Sequence, residues 1–202
     1  MDYPQAIKNL ADLLKKLPGV GAKTAQRYVF SLLKESSEDL KQLGNQIENL
    51  AKTINKCPTC FYLSEEGHCP ICQDKTRDNK KLCLIESFSD LINIENTKQY
   101  KGRYFVLGNL INSIEDIGPK DIHIEELVKF VNNLIKENGE LEIILALSPT
   151  LEGEGTSMYL NKALKSPKIK LSKLARGLPS GATLEYADEI TLISAFKNRN
   201  EI

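Results

Sequence analysis

Four of the five cysteines fall in two pairs, Cys57-Pro58-Thr59-Cys60 and Cys69-Pro70-Ile71-Cys72. A Cys-x-x-Cys knuckle aims two thiolates at one point, and two knuckles at this separation complete a tetrahedron around Zn²⁺. Four thiolates leave no coordination position open, so the ion, one per chain, is structural. It would supply the folding energy of a segment too short for an apolar core of its own. Redox-active or incidental Cys-x-x-Cys pairs are the alternative. His68 adjoins Cys69 but reads as a solvated loop residue, because the thiolates already fill the site. Cys83 lies in an apolar run and reads as a small buried hydrophobe.

The second pattern is Leu17-Pro18-Gly19-Val20-Gly21-Ala22-Lys23-Thr24-Ala25. Gly19 and Gly21 let the backbone turn tightly and come close to a ligand. The amides that begin the following helix are unpaired and sit at its positive dipole end, which suits a phosphate. Lys23 and Arg27 are four residues apart and share a helix face. These features resemble the helix-hairpin-helix motif of DNA-binding proteins. Contacts of this kind read the nucleic-acid backbone and not the base sequence. A plain Pro-Gly connection between helices would account for the glycines but not for the basic pair.

The third group is acidic. Glu86 follows the apolar run Leu82–Ile85, and Glu152 and Glu154 are placed in a loop after the run Leu141–Leu147. In open α/β sheets the functional crevice lies beyond the carboxyl ends of the strands, so all three acids are expected there. The arrangement resembles a Toprim domain, in which a Glu after the first strand and a later Asp-x-Asp pair hold Mg²⁺. Here the pair is Glu-x-Glu, and Mg²⁺ demands near-ideal geometry. A solvated acidic surface that contacts a partner protein is therefore favoured over catalysis.

Six cations and no acid lie between Lys162 and Arg176, which reads either as a DNA surface or as a solvated face. Lys+Arg and Asp+Glu both number 27, so nucleic-acid binding must come from local concentrations of charge. Aromatic residues are only 6% of the chain, which argues against base-stacking recognition of single strands. No phosphate-binding G-x-x-x-x-G-K-[ST] sequence occurs, and with only His68 and His123 no Ser-His-Asp arrangement is attractive. The N-terminus has no basic run followed by an apolar stretch, and no segment is long enough to span a membrane. A cytoplasmic location is expected, nucleoid-associated when DNA is bound, where five cysteines are not a disulfide framework.

Positioning these groups requires three helices, over 7–17, from about Ala22 to Lys34, and over 38–54, each with apolar residues at helical spacing. A polar linker is expected over 73–81. Beyond it, strand-length apolar runs at Leu82–Ile85, Tyr104–Leu107, Leu141–Leu147 and Ile169–Leu171 alternate with helical patterns over 123–136 and 156–165. Leu141–Leu147 is continuous, as expected of a strand buried on both faces. The stretch 189–196 reads as an edge strand or a docking arm. The expected fold is multidomain α/β. Residues 1–54 form a helix-hairpin-helix bundle, 55–76 a four-cysteine zinc module, 80–175 a Toprim-like α/β domain with a mainly parallel sheet, and 176–202 a C-terminal arm.

The order of these pieces is more specific than any one of them, and across essentially the whole chain it resembles the RecR family of recombination mediators. The marks are Leu17-Pro18-Gly19-Val20-Gly21, the four cysteines, Gly102–Leu107, Pro149–Glu154 and Arg176-Gly177-Leu178-Pro179. The resemblance implies a non-enzymatic DNA-binding clamp in recombinational repair that binds single- and double-stranded DNA without sequence preference. It implies a homotetrameric ring that acts with RecO and RecF to help load RecA onto single-stranded DNA. Lys23 and Arg27 would then face DNA in the hole of the ring, and Glu86, Glu152 and Glu154 would face RecO. The alternative is a Mg²⁺-dependent Toprim enzyme, a nuclease, primase or topoisomerase-like protein, using those same acids.

Overall fold

A computed structural model describes residues 2–199. The chain divides after Ile54 into two compact units.

The first unit holds helices α1 (Gln5–Leu14), α2 (Ala22–Leu32) and α3 (Ser37–Thr53). Its core is small: Ala11, Ala25 and Val29 are buried, with Ile7, Leu14 and Val20 packed around them. Helix α1 ends before the apolar spacing does. Pro18 disfavours helical geometry at Leu17, and Gly19 takes φ +75°, so residues 15–19 turn instead. The Ser36 hydroxyl caps α3 by accepting from the Asp39 amide at 3.1 Å. No residue of α3 is buried, and Ile47 and Leu50 on its apolar stripe are 65% and 63% exposed.

The second unit begins with a short antiparallel pair, β1 (Asn55–Lys56) and β2 (Leu63–Ser64), followed by α4 (Pro70–Gln73). Then come β3 (Asp78–Ile85), α5 (Phe88–Asn96), β4 (Gly102–Val106), α6 (Ile124–Asn138), β5 (Leu141–Ala146), α7 (Leu151–Ala163), β6 (Ile169–Lys173) and α8 (Glu189–Lys197). Strands β4-β3-β5-β6 form one sheet in that order, every neighbouring pair parallel. Alternation of side chains along the strands supplies two cores. Leu82, Leu84, Ile143 and Leu145 pack with Leu127 and Val131 of α6 and Leu160 of α7. Cys83, Ile85, Tyr104 and Val106 point the other way, toward Leu91 of α5 and toward Cys57, Cys60 and Cys69.

Several expectations are corrected. The linker over 73–81 is shorter, because β3 already starts at Asp78, whose amide donates to the Lys101 carbonyl at 2.8 Å. Strand β5 is buried on one face only: Leu141, Ile143 and Leu145 are buried while Glu142, Ile144 and Ala146 are half-covered. The elements on the second face lie over β3 and β4 instead. Residues 189–196 are not an edge strand but lie in helix α8. Asp188 caps it by accepting from the Thr191 amide at 2.9 Å, and Ile190, Ile193 and Phe196 recur at three-residue spacing. Helix α5 was not anticipated; Ser87 and Asp90 form its capping box. Among the described residues no helix is long and apolar enough to cross a membrane.

Candidate nucleic-acid interface, cysteine cluster and acidic crevice

The two glycines before α2 do different work. Gly19 sits at φ +75°, where a side chain would be strained. Gly21 is extended (φ −82°, ψ 173°), a conformation any residue adopts, and a Cβ there would meet nothing. Its lack of a side chain matters only for the close approach of a ligand. Gly21 is the N-cap of α2 and offers no side-chain acceptor, so no cap competes for the first-turn amides. Lys23 and Arg27 are exposed on the face opposite the buried Ala25 and Val29. Helix α2 contains no acid, and among the described residues neither cation forms an ion pair. The helix start thus presents unpaired donors and two unneutralised charges together, which is phosphate-binding chemistry.

The sulfurs of Cys57, Cys60, Cys69 and Cys72 all lie within 4.8 Å of one another, and Cys60 and Cys69 are 3.4 Å apart. Tetrahedral thiolate coordination at ~2.3 Å requires sulfurs roughly 3.8 Å apart, so the set fits one metal ion. Local backbone geometry builds each knuckle. In the first, the Phe61 amide donates to the Cys57 carbonyl at 3.0 Å and Phe61 takes φ +62°. In the second, Cys69 stands at the N-cap position of α4 and the Gln73 amide donates to its carbonyl at 3.1 Å. Hydrogen bonds from Cys60 and then Cys72 hold the Cys69 thiol below its ordinary range. His68 is exposed and outside the cluster. Cys83 is buried in the core beneath the cluster but is not one of the four, and burial pushes its thiol up to about 12.

The cysteine module is not a free-standing knuckle. Its cysteines share an apolar core with the sheet. The Val106 amide of β4 donates to the Cys60 carbonyl at 2.9 Å. Arg103 of the same strand donates to the carbonyls of Ile71 at 2.8 Å and Cys72 at 3.1 Å, while its Nε reaches Asn79 at 2.7 Å. Strand β4 is an edge of the sheet, and the module covers it.

At the carboxyl ends of β3 and β5, Glu86, Asn109, Ser148, Thr150 and Glu152 surround a cavity of about 300 Å³. Burial raises the Glu86 carboxyl above its usual range, with Asp90 and Glu152 adding to the effect and a hydrogen bond from Ser148 opposing it. Glu152 is lowered, by its own backbone amide and then by the Thr150 hydroxyl. Glu152 and Glu154 are not in a loop. They occupy the first turn of α7, where Thr150 caps by accepting from the Gly153 amide at 3.2 Å. Residues two apart on a helix point in nearly opposite directions. Glu152 therefore faces the cavity, whereas Glu154 turns to Lys173, at 2.7 and 2.8 Å, and to Arg176. Between the two acids, Gly153 has no room for a side chain: a Cβ would sit 1.9 Å from the Ser148 carbonyl oxygen. Ser148 and Asp90 were missed from sequence; their signal was position, one just after a strand end and the other in the first turn of the helix after β3.

The basic run is split by these contacts. Lys173 and Arg176 are engaged by Glu154. Lys162, Lys165, Lys168 and Lys170 are exposed, and among the described residues none forms an ion pair. Lys168 and Lys170 flank or lie on β6, the other sheet edge, where lysines discourage edge-to-edge pairing.

Comparison with known proteins adds sequence-wide likeness. Residues 7–51 match the family described as RecR, helix-hairpin-helix; 80–175 match the Toprim domain; and 177–200 match RecR, C-terminal. Recombination protein RecR of Paenarthrobacter aurescens is 43% identical over 197 residues, spanning 98% of this chain and 97% of its own. The protein of that name from Thermobifida fusca is 42% identical over 200 residues, spanning 99% and 98%. That from Staphylococcus saprophyticus is 41% identical over 202 residues and spans both chains completely.

Proposed function

The chain belongs to the RecR family of recombination proteins, which places it in recombinational DNA repair, and from that premise we propose that it is a non-enzymatic DNA clamp. The observation that carries this reading is the start of α2. Uncapped amides, Lys23 and Arg27 share one exposed end and face of a helix without any acid. Gly19 and Gly21 open the backbone to a phosphate, and the contacts are to single- and double-stranded DNA without sequence readout.

One copy of this face on a neutral chain grips weakly; several copies around a shared opening make a positive channel. The exposed stripe of α3 supports such an assembly, a homotetrameric ring, because Leu43, Ile47 and Leu50 leave apolar surface that sister subunits would cover. The acids Glu86 and Glu152 form the surface that docks RecO, with Glu154 held internally by Lys173 and Arg176. RecF and RecA are the further partners, and loading of RecA onto single-stranded DNA is the outcome. The Cys57, Cys60, Cys69 and Cys72 set holds one structural Zn²⁺: four thiolates within 4.8 Å of one another suit that ion and leave no open position. The location is cytoplasmic.

The test is a mobility-shift titration of DNA at several salt concentrations. Affinity should fall steeply with salt, and the Lys23→Ala, Arg27→Ala double variant should lose most of it, with the salt slope reduced by roughly 1 for each cation removed. Salt-independent binding, or a double variant that binds as well as the parent, overturns the reading. The second reading, a Mg²⁺-dependent Toprim enzyme, draws on the Glu86–Glu152 cavity, but Glu154 is neutralised by two cations and turned from it. Nicking of supercoiled plasmid with Mg²⁺ or Mn²⁺ that disappears in Glu86→Gln would establish that reading instead.

A further inference from the structure

The outer face of α2 carries more than cations. Successive side chains on a helix step by about 100°, which centres Lys23 and Arg27 directly opposite Ala25 and Val29. On the same count Phe30 lies beside Lys23, and Tyr28 lies about 100° round from Arg27, on the shoulder between the cations and the buried side. Tyr28 is 43% exposed, far more than a core tyrosine, and the Arg27 guanidinium carbon lies 6.0 Å from its ring centroid. Phe30 is exposed too, in an edge-to-face pair with Tyr3 at 5.4 Å and 68°. Among the described residues the Tyr28 hydroxyl has no hydrogen-bond partner, so no such bond ties its ring down. Although aromatics are few in the chain as a whole, one of them, Tyr28, lies beside the phosphate-reading Arg27.

A duplex keeps its bases stacked on one another and offers a protein surface mainly phosphates and groove edges. A single strand offers free base faces as well, and exposed aromatic rings beside a positive track are what such faces stack upon. An arginine that spans phosphate and ring can serve both contacts. Every base has a π-face, so this contact is tolerant of sequence, as the phosphate contacts are.

Resting on the DNA reading above, we infer that Tyr28 is a base-stacking residue, so that the α2 face binds unpaired strands in preference to duplex. The cations supply the attraction common to both forms of DNA, and the tyrosine ring supplies the difference between them. The ligand is a single-stranded nucleic acid with its phosphates along Lys23 and Arg27 and one base lying on Tyr28. The rival occupant of Tyr28, a sister copy of the chain, has less in its favour: the ring is bordered by the unneutralised Arg27, whereas the broad apolar surface of this unit lies on α3.

The test uses the full-length protein with a fluorescein-labelled oligo(dT) and a duplex of equal length, read by anisotropy, for the parent, Tyr28→Ala and Tyr28→Phe. Tyr28→Ala should weaken oligo(dT) binding roughly ten-fold and leave duplex binding within about two-fold, while Tyr28→Phe keeps both. A strand carrying 2-aminopurine should lose fluorescence on binding the parent and Tyr28→Phe, and not Tyr28→Ala. Unchanged oligo(dT) affinity in Tyr28→Ala, equal loss on both forms of DNA, or a change in its solution mass each overturns the inference. The last outcome would assign Tyr28 to the contact between copies. Failure of the DNA reading looks different: the parent would then bind neither form in a salt-sensitive way, or would bind both regardless of Lys23 and Arg27.

Discussion

The amide of Val106 donates to the carbonyl of Cys60 at 2.9 Å, joining the outer strand of the sheet to the first cysteine knuckle. With Arg103 gripping the second knuckle through the Ile71 and Cys72 carbonyls, the cysteine module is the cover of an otherwise open sheet edge. Integrity of the module and of the sheet are thereby coupled.

Metal removal should therefore reach beyond the knuckles. Treatment with a strong chelator is expected to lower the thermal unfolding midpoint by roughly 10 °C and to accelerate amide exchange at Val106. It should also promote aggregation through the uncovered β4 edge. Calorimetry, amide exchange and light scattering check this; an unfolding curve indifferent to chelation would contradict the coupling.

The exposed stripe of α3 bears on assembly. Ile47→Glu combined with Leu50→Glu should leave the isolated helix helical, since both sites are solvent-facing in a single chain. Sedimentation or light scattering is expected to show a smaller species than the parent. An unchanged mass would remove α3 from the contact between copies.

Gly153 and Gly155, two residues apart in α7, should respond oppositely. At Gly153 a Cβ collides with the Ser148 carbonyl, and Gly153→Ala is expected to cost ~3 kcal/mol or more as α7 shifts. Nothing lies within 4 Å of a Cβ at Gly155, so Gly155→Ala should stabilise by ~0.5–1 kcal/mol. Denaturant unfolding of the two variants decides it.

Glu86 gives a pH dependence of defined sign. Burial raises its carboxyl in the folded state, with Asp90 and Glu152 adding to this, so the folded protein holds that proton more tightly than the unfolded chain. Ionised Glu86 therefore costs stability. The cost is absent below the ordinary carboxylate range and grows as pH rises through the folded value. Glu86→Gln should melt higher than the parent at neutral pH, and the difference should vanish near pH ~4. A lower melting temperature at neutral pH would reverse the assignment.

Local signals were legible in the sequence. The two Cys-x-x-Cys knuckles, the turn at Pro18 and Gly19, the face shared by Lys23 and Arg27, and strands β3 to β6 with helices α6 and α7 depend on residues close in the chain. Spacing and periodicity report such features directly. What remained hidden depended on partners distant in sequence. Glu152 and Glu154 look equivalent in the chain. The helix that begins at Thr150 turns one toward Glu86 and the other toward Lys173 and Arg176. The cysteine module looked self-contained until β4 came to lie against it, and β5 looked two-sided until its second face proved only half-covered. Which surface a side chain meets is decided by packing between segments, and packing leaves no period in the sequence.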